Sequence, residues 1–180
     1  MKVQKDMTST LTIRKATVAD LPVVMKLFDS ARGIMRADGN MHQWTGGYPT
    51  EAIALHDIEQ GHCHLCIGAD GEVEGTFAFI PGPDPTYLHI YEGCWAETEQ
   101  PYAVIHRLAS SGRGDGVADA CFDWAYSQVP NLRVDTHRDN RIMQRFLLSR
   151  GFVYCGIIYL LNGDERLAYQ KCAGWQAGQI

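Results

Sequence analysis

At 180 residues the chain has the length of one domain, with enough side-chain volume for a two- or three-layer core. Its 46% hydrophobic and 21% charged residues are ordinary for a globular protein. The net charge of −5, without a basic stripe, argues against a nucleic-acid partner, and no apolar run approaches the length of a membrane span.

The first ten residues are polar and mixed in charge, which does not suit a secretory leader. Residues 1–9 and 173–180 read as loose tails around a core of about residues 10–172. Leu11 to Lys15 reads as a short strand. Thr17 and Asp20 then form a capping-box-like pair, and Leu21, Val24, Phe28, Ala31 and Met35 recur at helical spacing up to Gly39. Asn40 to Pro49 is a loop carrying Trp44 and Tyr48, and Thr50 caps a short helix through Ile58.

His62 to Ile67 and Val73 to Ile80 read as two strands around an Asp70-Gly71 turn. Pro81, Pro83 and Pro85 break the second. Tyr87 to Tyr91 is predicted as a further strand, followed by a loop to Gln100, and Tyr102 to Ala109 as the next strand. A glycine-rich turn leads into a long helix ending near Gln128. Leu132 to Thr136 is a strand, and Asn140 to Arg150 a helix closed by Gly151. Phe152 to Leu161 and Arg166 to Lys171 form a hairpin around Asn162-Gly163-Asp164. The expected class is α+β: one mixed, largely antiparallel sheet of about seven strands flanked by about four helices.

The glycine turn carries the chemistry. Where a strand passes through small residues into a helix, the first helical amides are unpaired and partly positive, and a phosphate can approach them closely. The segment Ser110-Ser111-Gly112-Arg113-Gly114-Asp115-Gly116-Val117-Ala118 lies at such a junction. No Lys-Ser or Lys-Thr follows, so it is not a P-loop. Gly112-x-Gly114 meets Val117 where the dinucleotide fingerprint needs its third glycine, and Gly114-x-Gly116 meets Asp119. The pattern [R/Q]xxGx[G/A] fits Arg113, Gly116 and Ala118 without a gap; the alternative reading is an ordinary turn capping a helix.

With the strand before it and the helix after it, this pattern resembles the acetyl-CoA pyrophosphate loop of the GNAT superfamily. A second block agrees: Leu132 to Thr136, then Asn140, then Met143 and Phe146, closing on Gly151-Phe152. The resemblance covers about residues 10–172 and is strongest from 103 to 160. It implies that acetyl-CoA is the co-substrate, bound by Leu108, Ala109, Ser110, Arg113, Gly114, Asp115, Gly116, Val117, Ala118 and Asn140. It also implies acetyl transfer to a primary amine of a small molecule or peptide. The alternatives are a catalytically weakened CoA-binding or sensory module and, without the cofactor, a generic interaction domain.

Such chemistry needs a base for the amine proton. His106 is the first candidate: by strand alternation it shares a face with Leu108, and imidazole accepts protons near neutral pH. The alternative is a histidine bonded within the core. Glu92 and His89, expected at the end of the preceding strand, come next. One position departs from the family pattern: the helix tyrosine that protonates the leaving thiolate is replaced by Leu147, which leaves Tyr154 or Tyr159 as substitutes.

His62-Cys63-His64-Leu65-Cys66 suggests a metal cluster, but one C-x-x-C with no second pair is a weak zinc signal, and alternation divides its side chains between two faces. The six scattered cysteines read as reduced thiols of a cytoplasmic protein. The acceptor and the oligomeric state are not legible; a homodimer is the default expectation.

Overall fold

The architecture is that of a computed structural model, which describes residues 11–174. Of the tails expected at residues 1–9 and 173–180, only Ala173 and Gly174 are described, and the Ala173 amide donates to the Pro130 carbonyl at 3.0 Å; the rest lie outside the described residues. The elements follow in the order β1 (Thr12–Lys15), α1 (Leu21–Ala37), α2 (Glu51–Glu59), β2 (Cys63–Ile67), β3 (Val73–Pro81), β4 (Ala103–Ser110), α3 (Val117–Gln128), β5 (Asn131–Thr136), α4 (Arg141–Ser149), β6 (Val153–Tyr159) and β7 (Glu165–Cys172). They build one seven-stranded sheet in the order β1-β2-β3-β4-β5-β7-β6. All neighbours are antiparallel except β4 and β5. This is the mixed sheet with four helices that the element pattern predicts.

Local signals set most boundaries. The Asp20 carboxylate accepts from the Thr17 amide at 2.7 Å and from the Thr17 hydroxyl at 3.0 Å, closing a 3-10 turn that leads into α1. Val24, Leu27, Phe28 and Ala31 of α1 are buried. The Thr50 hydroxyl accepts from the Ile53 amide at 3.3 Å, and the Asn140 side chain from the Met143 amide at 3.0 Å, so both residues cap as their types predict.

Alternation along each strand assigns the helices to faces. Cys63 and Leu65 pack with α1 and α2, whereas Cys66, Phe77, Ile105 and Leu132 pack with α3 and Leu147 of α4. The loop between β3 and β4 completes the first face with Tyr87 and Trp95 over Val104 and Ile158. One position lets α3 sit close to the sheet. A Cβ on Gly75 would lie 2.4 Å from the Val117 side chain, so only glycine admits the first turn of α3 there.

The strand expected over Tyr87 to Tyr91 does not form. Asp84 accepts from the Thr86 amide at 2.8 Å and from its hydroxyl at 2.7 Å, starting a 3-10 turn over Pro85–Tyr87. The side chain thus supplies a bond that a ladder would otherwise make. Of the whole segment only Tyr91 pairs, as a single bridge to Ile157.

Candidate active site

The sheet opens along the parallel pair β4–β5. Ala103 pairs with Leu132 and Val104 with Arg133, and there the ladder ends although both strands continue. Beyond it lies a cavity of about 500 Å³, walled by Ile105 to Leu108 of β4 and Val134 to Thr136 of β5. Trp44 and Tyr48 from the loop after α1, Asp84, Asn140, Met143 and Arg166 also face it.

A bulge shapes the β4 wall. Ala78 pairs with His106 and Thr76 with Ala109, so Arg107 and Leu108 together oppose Phe77. Arg107 adopts φ 55°, a left-handed value costly for a residue with a side chain. The alternation argument that placed His106 and Leu108 on one face is therefore corrected: the bulge interrupts the two-residue period, and all of Ile105, His106, Arg107 and Leu108 border the cavity.

The Arg107 guanidinium holds the bulge in place. It donates to both Asp57 oxygens, at 2.7 and 2.9 Å, and to the Tyr48 hydroxyl at 3.2 Å. Burial works against this cation, but Tyr48 and Asp57 outweigh burial and hold its pKa above the ordinary value. Removing one partner of such a pair strands a buried charge. Asp57→Ala is expected to cost about 3–5 kcal/mol, read as a fall in the denaturant midpoint, with the paired variant Asp57→Leu/Arg107→Met recovering most of it. A loss below about 1 kcal/mol for the single variant would show the pair to be dispensable.

His106 sits between two carboxylates. Its Nε2 lies 2.8 Å from Asp84 and its Nδ1 3.7 Å from Asp135. Asp135 also accepts from the buried Tyr87 hydroxyl at 2.6 Å. Burial raises the Asp84 pKa, but hydrogen bonds from His106 and Thr86 outweigh it and bring the carboxyl down to about 2. An ionised Asp84 can only accept. Nε2 therefore carries its hydrogen, and a neutral ring presents the Nδ1 lone pair.

The glycine turn follows β4 directly. The Gly112 and Arg113 amides are satisfied by the hydroxyls of Ser110 and Ser111. The next five N–H groups, Gly114 to Ala118, have no acceptor among the described residues. Gly116 caps α3 at φ 87°, and a Cβ there would meet open space. The Arg113 side chain lies 3.4 Å from Glu74 and 3.6 Å from Asp70.

Among the site residues expected from sequence, His106, Leu108 and Asn140 meet at the cavity, while Arg113 to Ala118 form the separate turn at the head of α3. Ala109 is buried in the α1 cluster. Asn140 caps α4 and also donates to Gln43 at 3.0 Å, which ties the loop after α1 to the head of α4.

Glu92 is not brought to the site. With no strand to carry them, His89 and Glu92 are exposed, and neither borders the cavity. Tyr154 and Tyr159 are also exposed, packed edge-on against Tyr169 and Tyr91, and lie outside it. Leu147 is fully buried. Sequence reasoning missed Asp84, Arg107, Asp135 and Thr136. The one available signal was two polar residues, His106 and Arg107, interrupting the apolar strand Val104 to Ala109.

Among the described residues no three His, Cys, Asp or Glu are placed to hold a metal ion, and no helix is long and apolar enough to cross a membrane. No family model matches the chain, nor does any curated protein. Solved structures do. A GNAT-family acetyltransferase from Streptococcus agalactiae 2603 is 34% identical over 92% of this chain and 96% of its own, with a TM-score of 0.82. A GNAT-family acetyltransferase from Listeria monocytogenes 4b F2365 has 19% identity over 92% and 98%, with a TM-score of 0.68. A ribosomal-protein-alanine N-acetyltransferase from Brucella melitensis has 20% identity over 90% and 99%, with a TM-score of 0.59. The last two share the fold alone. The first, matched in sequence over nearly its whole length, shows that this chain belongs to the GNAT family of acetyltransferases.

Proposed function

We propose that the protein transfers an acetyl group from acetyl-CoA to a primary amine. The observation that carries this reading is the continuity of β4 with the glycine turn. One strand bears the bulge and His106 at the cavity, then runs straight into the row of unpaired amides at the head of α3.

The chain's residues fit acetyl-CoA at both ends. Five free amides and the positive end of α3 suit a diphosphate, and Gly116 leaves the approach open. The opened β4–β5 gap, lined by Ile105, Leu108, Val134 and Met143, suits an extended and largely apolar arm. When bound, acetyl-CoA supplies a thioester acyl group and a thiol leaving group.

On this reading the bulged backbone of β4 directs amide donors at the acyl oxygen, an effect worth about 3 kcal/mol per donor in comparable sites. His106 takes the amine proton at Nδ1 while Asp84 fixes the ring from Nε2. Asp84, Asp135 and Asp164 border the cavity and outnumber Arg166, since Arg107 is neutralised by Asp57; this balance suits a cationic acceptor.

Leu147 favours a second reading, a CoA-binding module with weakened catalysis, because a fully buried leucine donates no proton. Two measurements divide the readings. Calorimetric titration with acetyl-CoA is expected to show one site per chain; no heat would remove both. Thiol release with a panel of diamines, amino acids, aminoglycosides and an alanine-first peptide is expected with at least one amine, and binding without release would leave the module.

A further inference from the structure

The Thr136 side chain ends β5 at 1% exposure, and its Oγ1 has no hydrogen-bond partner among the described residues. Buried hydroxyls are nearly always paired, so an orphan on a residue that borders a cavity points to a ligand atom that completes it. Its branched side chain is stiff, which fixes the hydroxyl's position.

Thr136 lies where the β4–β5 gap has opened, across from the bulge at His106 to Leu108. Val134 shares its face of the strand, and Phe122 and Met143 border the same cavity. An apolar wall strengthens a lone hydrogen bond and disfavours an unpaired charge.

Thr45, on the loop after α1, is exposed, and two other hydroxyls near the site are committed. Thr86 donates to Asp84 and Tyr87 to Asp135. Tyr48 accepts from Arg107, which leaves its own hydrogen free, but it stands on the loop after α1 with the expected acceptor wall.

We propose that the Thr136 hydroxyl donates a hydrogen bond to the departing sulfur of the thioester, in place of the acid that Leu147 cannot be. This rests on the acetyl-CoA reading above. The amine lone pair forms the nitrogen–carbon bond. The carbon–sulfur bond breaks with its electrons going to sulfur. The amine proton passes to His106, and the sulfur later takes a proton from solvent. Thr136 keeps its own proton and stabilises the sulfur's charge.

The test compares Thr136→Val, Thr136→Ser and Tyr48→Phe with the wild type. Thr136→Val fills the same volume without the orphan hydroxyl, so the ligand-free protein is expected to melt about 2–4 °C higher. Its calorimetric affinity for CoA should stay within about threefold, because the diphosphate contacts are untouched. The thiolate absorbance of bound CoA, taken as a pH titration against ligand-free protein, should move up by about one pH unit, a tenfold loss of thiolate. Turnover should fall about ten- to hundredfold at unchanged KM for acetyl-CoA. Thr136→Ser should restore both, and Tyr48→Phe should leave the thiol titration in place.

The proposal is overturned by an unchanged thiol titration in Thr136→Val, by a shift in Tyr48→Phe instead, or by lost CoA affinity as the sole effect. Absence of CoA binding to the wild type would overturn the acetyl-CoA reading and this inference with it. Normal wild-type binding with an unmoved titration overturns the inference alone.

Discussion

Replacing His106 with glutamine is expected to lower kcat by about 10²–10⁴-fold, the usual worth of a positioned base. Glutamine keeps a donor toward Asp84, so the buried carboxylate is not stranded, but an amide cannot accept the amine proton. The deficit should lie in kcat. His106 touches neither the glycine turn nor Asn140 among the hydrogen bonds of the described residues, so KM for acetyl-CoA should hold. Melting should stay within a few degrees. A variant that retains activity within about threefold would return His106 to the alternative of a core histidine held by Asp84. The size of the effect matters for the ranking. A base at the upper end of that range outweighs a single hydrogen bond to sulfur, so His106 should dominate Thr136 in any double variant.

Gly116→Glu is expected to weaken CoA binding by a comparable factor, through charge. A carboxylate about 4 Å from a phosphate at an effective dielectric of about 20 costs about 4 kcal/mol, close to a thousandfold in affinity. The backbone complicates the substitution, because φ at Gly116 is 87° and any side chain there strains the cap. Gly116→Ala separates the two effects. It carries the strain, costing about 1 kcal/mol of stability, without the charge. Both variants should therefore melt at similar temperatures while only the glutamate loses CoA, measured by calorimetry. Equal affinity in the two would mean that the diphosphate binds elsewhere.

These two residues were legible in the chain for different reasons. The turn is a local device: its glycines, its small neighbours and the strand and helix around it lie within a short run, and the free amides follow from helix geometry alone. His106 was legible only as a residue type inside an apolar strand. Its role depends on Asp84, 22 residues away, and on Asp135 across the opened gap. Glu92 shows the converse. It was placed near the base by assuming a strand over Tyr87 to Tyr91, and the Asp84 side chain had already diverted that segment into a 3-10 turn.

Periodicity and capping chemistry are short-range, so the helices, the Asp70-Gly71 and Asn162-Gly163 hairpins, the caps at Thr50, Asn140 and Gly151, and the glycine turn could all be read before any coordinates. The bulge at Arg107, its anchor to Asp57 from 50 residues away, the end of β4–β5 pairing after Val104, and the orphaned Thr136 hydroxyl could not. Each results from how strands separate and which distant groups then face one another. Burial and the pairing of buried charge decide that only once the whole sheet is assembled.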